Sequence, residues 1–113
     1  MLRSILKGGK PFAERQFRGG GGSALLVHIK LGVEARLRAV LEEQGLIELE
    51  VPRASNPWQV NQAVVELLSR VLEVPRDALE IVAGLHKSGK VVTIRGLAPG
   101  EVQRRLQAAA ARG

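Results

Sequence analysis

The sequence predicts one α+β domain built in two layers, a four-stranded mixed β-sheet with two helices packed on one of its faces. Three observations carry this. Ala24–Lys30 and Ile47–Val51 alternate apolar and polar residues, the period of a strand with one face buried and one in water. Asn56–Leu72 repeats apolar residues at the i, i+3, i+4, i+7 spacing of a helix with a single buried stripe. A chain of 113 residues has room for one core in which such a sheet face and helix stripe cover each other.

Residues 1–23 are expected to form a flexible, basic, glycine-rich tail or linker ahead of a domain at 24–113. Residues 1–22 hold five basic side chains against one acid, so +4 of the net +6 lies there and the remainder is near neutral. The high pI by itself is therefore no argument for nucleic-acid binding. Gly19–Ser23 reads GGGGS, a flexible-linker composition. A solvated tail is the plain reading. A basic arm against phosphates or a membrane surface, a targeting segment and an engineered linker are the alternatives. With no cysteine, disulfides and thiolate metal sites are excluded. No apolar run reaches the roughly 18 residues of a membrane span, and MLRSILKGGK lacks the apolar core of a secretory signal. A cytoplasmic, monomeric protein without membrane contact is expected.

In the first strand, Leu25, Val27 and Ile29 point one way and Leu26, His28 and Lys30 the other. Ile47, Leu49 and Val51 likewise oppose Glu48 and Glu50. Between them, Glu34–Gln44 is rich in helix formers. It reads either as a short helix or as the first half of a hairpin turning at Glu43-Gln44-Gly45. Asn56 suits the N-cap of the main helix and Pro57 its first position. Val60, Ala63, Val64, Leu67, Leu68 and Val71 form its apolar stripe, and Pro75 forbids its continuation. Leu79–Ala83 and Val91–Arg95 are strands flanking a loop at Gly84–Lys90. Glu101–Ala111 is a second helix with Val102, Leu106 and Ala109 inward.

Several motifs invite a chemical reading. Gly84-Leu85-His86-Lys87-Ser88-Gly89-Lys90 fits G-x-x-x-x-G-K, but Val91 stands where a phosphate-binding loop needs Ser or Thr, and a strand follows where it needs a helix. A weaker reading survives, a Gly-containing basic loop that binds an anion. His28 and His86 are the only histidines, and neither has a second ligand at metal spacing, so no metal or other cofactor is expected. His86 and Ser88 lack an acidic orienter nearby in sequence, which argues against nucleophilic catalysis. Glu48 and Glu50 are read as cross-strand ion-pair partners of Lys30. Trp58 is read as packing over the sheet edge in preference to stacking on a ligand ring. Arg104 and Arg105 are read as a solvated helix face.

The segments VHIK at Val27–Lys30, LEV at Leu49–Val51, Asn61-Gln62-Ala63, LEVP at Leu72–Pro75, LEIVAG at Leu79–Gly84, Lys90 and Ile94-Arg95-Gly96 together resemble the YggU-like family of small uncharacterised α+β proteins. The resemblance covers roughly residues 24–97. It implies a mixed sheet with two helices on one face, and it favours the hairpin reading of the segment before Gly45. The family's D-G-K-A-N run entering the main helix is replaced by Pro57-Trp58-Gln59-Val60-Asn61, which keeps only the Asn. Its S-G-x-x-S-R-x-K loop pattern keeps Gly84 and Lys90 but loses the Ser and the Arg. No activity comes with the resemblance.

The function expected from these residues is a non-catalytic binding module for an anionic partner, RNA or a nucleotide-like ligand. Lys30, Asn61, His86, Lys87, Ser88 and Lys90 are its candidate contacts. A protein–protein adaptor using the open sheet face or an edge strand is the alternative, and an enzyme of unknown reaction the third. Whether Asn61, Lys90 and Lys30 meet in one cleft is the geometric question the sequence poses.

Overall fold

A computed structural model describes residues 14–17 and 20–112. The other residues of the expected tail lie outside those described. The elements run β1 (Glu14–Phe17), β2 (Gly20–Gly32), β3 (Arg36–Leu41), β4 (Leu46–Pro52), α1 (Pro57–Leu72), β5 (Leu79–Ala83), β6 (Gly89–Arg95) and α2 (Pro99–Arg112). Five strands form a mixed sheet in the order β3-β4-β2-β6-β5, and β1 pairs antiparallel with the start of β2. The expected sheet of four strands is thus corrected to five, because residues 36–41 are a strand. Gly20–Ser23, assigned from the sequence to the tail, begin β2. Ser23 is buried, and its Oγ donates to the Leu97 carbonyl just before α2.

The apolar spacing of Glu34–Gln44, like its composition, resembles that of a helix, and the spacing has a physical explanation. A bulge falls between Leu37 and Ala39 where β3 pairs with β4. The extra residue brings both Leu37 and Val40 onto the core side. Their three-residue spacing imitates a helical stripe. The strand itself follows from pairing with β4, which overrides local propensity. Helix formers at 42–44 make only a single 3₁₀ turn, closed by Gly45 in the left-handed region.

Leu25, Val27 and Ile29 of β2, Ile47, Leu49 and Val51 of β4, and Val92 and Ile94 of β6 face inward as their alternation requires. They share one cluster with Val64, Leu67, Leu68 and Leu72 of α1 and Val102 and Leu106 of α2. Asn56 caps α1 by accepting from the Gln59 N–H at 3.0 Å. The helix stops at Glu73, a non-glycine residue at φ 58°, before Pro75 acts. The Val74 N–H to Ser69 carbonyl bond, 3.1 Å, is the 6→1 closure of a Schellman end. Arg105 is not a solvated residue: its guanidinium donates to the Leu72 and Glu73 carbonyls at 2.6 and 3.2 Å, tying α2 to the end of α1. Arg104 is exposed and, with Arg105, holds the Glu101 carboxyl down at about 2.

Candidate functional site

β2 pairs with β6 only as far as His28 opposite Gly89. Beyond that point the inner side of β2 is covered by the β5–β6 loop and by the chain entering α1. The Ile29 N–H reaches the Ser88 carbonyl at 2.8 Å, which seats the loop on the strand. A cleft of about 290 Å³ lies between these pieces. Its apolar lining comes from Ile29, Leu31, Val60, Pro57, Ala54 and Leu85, and its polar lining from Ser55, Asn56, His86, Lys87, Ser88 and Lys90. Among the described residues no carboxylate contributes to it.

The loop is built by its first and last residues. Gly84 sits at φ +76°, where a Cβ would run into the Gly89 carbonyl, so the tight approach of the two hairpin stems needs glycine. Lys90 has the parity of Val92 and Ile94 and therefore points into the inner layer, where it is 4% exposed. Its ammonium donates to the Gly84 carbonyl at 2.9 Å and the Leu85 carbonyl at 3.3 Å. Burial pushes its pKa below the ordinary value of 10.5. Asn61 of α1 donates to the same Leu85 carbonyl at 3.1 Å, and its buried Oδ1 has no partner. Asn61 and Lys90 thus meet on one loop carbonyl. Lys90 lines the cleft, and Asn61 lies behind the loop. His86, Lys87 and Ser88 are exposed along the cleft. Lys30 does not join them: it alternates with Ile29 and lies exposed on the opposite face of the sheet.

Trp58 is 66% exposed and does not pack over the sheet edge as expected. It follows Pro57, which lines the cleft, and stands three residues before Asn61, so it lies on the side of α1 next to the loop. Sequence alone left its exposure open, since an indole at the first turn serves packing and stacking equally well.

No protein-family model matches this chain.

A second polar cluster occupies the outer sheet face. The link from β2 to β3 must step over β4, about 10 Å across two strand spacings. Its N–H groups have no strand to pair with there. Glu50, on the strand being straddled, accepts from the Val33 N–H at 2.9 Å and the Glu34 N–H at 3.5 Å, and from Arg36 Nε at 2.8 Å. Arg38 stands 3.6 Å away. The carboxylate lies against Gly32, where any side chain would displace it. Arg36 first, then the Val33 N–H, hold the Glu50 carboxyl down at about 2. The expected pairing of Glu48 and Glu50 with Lys30 is therefore corrected: Glu50 pairs with the arginines of β3. Among the described residues no group of three His, Asp or Glu side chains is placed to hold a metal ion.

Proposed function

We propose that this protein is a non-catalytic binding module for an anionic partner, RNA or a nucleotide-like ligand, taken up at the cleft between β2, the start of α1 and the β5–β6 loop. The observation that carries the reading is the make-up of the cleft: Lys87, Lys90 and His86 above an apolar floor, with no carboxylate in the lining. Neither lysine has an acidic partner among the described residues. Such a wall attracts phosphate or carboxylate groups, and the floor accepts a flat or apolar body. Kinship with the YggU-like family and a cytoplasmic, monomeric state belong to the same proposal. Among the described residues no helix is long and apolar enough to cross a membrane.

Trp58 is the only tryptophan, so its fluorescence reports on the first turn of α1, which begins at the cleft-lining Pro57. Titration with polyuridylate at low salt is expected to change that signal. The affinity should fall steeply as salt rises, and Lys87→Ala should weaken binding several-fold, since phosphate contacts dominate such affinities. An unchanged signal, or Lys87→Ala binding as well as the parent chain, removes the proposal.

A second reading, a protein–protein adaptor, has one observation in its favour. Val33 is 88% exposed beside the partly exposed Leu31. A partner held there would resist salt, which separates the two readings.

A further inference from the structure

We infer that the cleft holds a terminal phosphate, the end group of a nucleotide or of a nucleic-acid strand, gripped by Lys90 from its buried side and by Lys87 from its exposed side. The inference rests on the proposed anion-binding reading and names the group that is bound. Its first support is the state of Lys90. This residue lines the cleft although only 4% of it is exposed. A lysine ammonium carries three N–H donors. The Gly84 and Leu85 carbonyls take two of them, and among the described residues nothing takes the third. No described carboxylate offsets its charge. The cost of drawing this charge out of water is met on folding. An anion that reaches it gains the attraction with only its own desolvation to offset.

The second support is the place of Lys87. Its backbone N–H and the Lys90 ammonium donate to one oxygen, the Gly84 carbonyl, at 3.0 and 2.9 Å. The buried ammonium thus lies against the turn that carries the exposed lysine, and both residues line the cleft together with Ser88. A phosphate monoester brings about −1.5 to −2 of charge and three acceptor oxygens. That matches two lysines and a hydroxyl better than the single charge of a carboxylate or of a phosphodiester does. The third support is size. About 290 Å³ falls at the lower limit of pockets that enclose a drug-sized molecule. A phosphate inside a strand has a nucleotide on either side, and both would have to pass the mouth for it to reach Lys90. An end group has only one, and Ile29, Leu31, Val60 and Leu85 offer apolar surface to the sugar or base behind it.

The experiment uses the full chain and fluorescence anisotropy of a short oligouridylate that ends in a phosphate or in a hydroxyl and is labelled at its other end, made in both polarities. In one polarity the phosphate-ended strand should bind on the order of tenfold tighter than its hydroxyl-ended twin. Lys90→Met should abolish that preference, whereas Lys87→Ala should weaken both strands. The comparison of end groups in the parent chain needs no variant and stands whether or not Lys90→Met folds. Uridine monophosphate competing as strongly as the phosphate-ended strand would assign the end group to a free nucleotide, and weaker competition to a strand end. If benzoate competes as well as uridine monophosphate, the choice of phosphate is wrong. If the two end groups bind alike in both polarities, or a folded Lys90→Met keeps the preference, the inference is wrong while the anion-binding reading stands on Lys87. If nothing binds at low salt, both readings fall.

Discussion

Glu50 and Lys90 are the two charged side chains that the described fold buries, one on each face of the sheet, and it treats them in opposite ways. Glu50 is met by two arginines and two backbone N–H groups, and its charge is matched where it stands. Lys90 is met only by carbonyl oxygens, and among the described residues no carboxylate pairs with it. Desolvation acts on both, but only the carboxylate has ions to offset it. Their pKa values move for different reasons: Glu50 is drawn down by its partners, Lys90 by burial. A matched buried charge ties a chain together. An unmatched one, facing a cleft, leaves a local positive potential there.

The largest effect that would break this contrast is expected from Glu50→Ala. It strands the Val33 N–H and the Arg36 guanidinium and loosens the step over β4. Thermal unfolding should show a larger fall in Tm than either Lys90→Met or Asn61→Ala produces. The loss should depend on pH. The folded Glu50 carboxyl titrates at about 2, against an ordinary 4.5, so between these values the unfolded chain binds more protons. Its stabilisation is complete above about 4.5 and disappears as the pH falls through about 2. In Glu50→Ala this part of the acid limb should be missing. A variant as stable as the parent would show that the cluster is ornamental.

Next in size is the pair Lys90→Met with Asn61→Ala. Together they strip the Leu85 carbonyl of both donors. The double variant should lose about 1 kcal/mol more than the sum of the two single changes, read from denaturant unfolding. Strict additivity would mean that the two side chains do not share the carbonyl in solution.

The smallest effect is expected from Lys90→Met alone. The Gly84 carbonyl keeps the Lys87 N–H at 3.0 Å, and the Leu85 carbonyl keeps Asn61. Removing a desolvated ammonium offsets the hydrogen bonds lost, so stability at neutral pH should stay within about 1 kcal/mol. The pH dependence is the sharper measurement. With the folded pKa below 10.5, the unfolded chain holds more protons between the folded value and 10.5. Parent stability should therefore rise with pH across that alkaline window, and the rise should vanish in Lys90→Met.

Much of the fold is legible in the sequence, and what is not has particular causes. The cap, stripe and extent of α1 follow from Asn56, Pro57 and a regular apolar spacing, all local signals. The inward placement of Lys90 is also readable, since Val92 and Ile94 fix its parity, and the same rule places Lys30 outside because Ile29 is inside. The strand at 36–41 is obscured by a bulge, a feature that exists only once β4 is paired. Glu50 cannot be matched to Arg36 from the sequence, because the same bulge shifts the register of the β3–β4 hairpin that brings them together. Asn61, a candidate ligand contact by its place at the start of the helix, grips the loop from behind.

The step over β4 also constrains how the sheet can be assembled. β2 and β3 follow each other in the chain but are held in one sheet only when β4 lies between them. β3 and β4 are joined by one short turn, and a local hairpin of that kind closes in about 1–10 μs. The ribbon they form can then swing about residues 33–35 and dock on β2 as one piece. The bond from Arg36 to Glu50 lies inside the hairpin, whereas the bond from the Val33 N–H lies in the link between β2 and β3. One carboxylate thus fastens both the hairpin and the link on which it hinges.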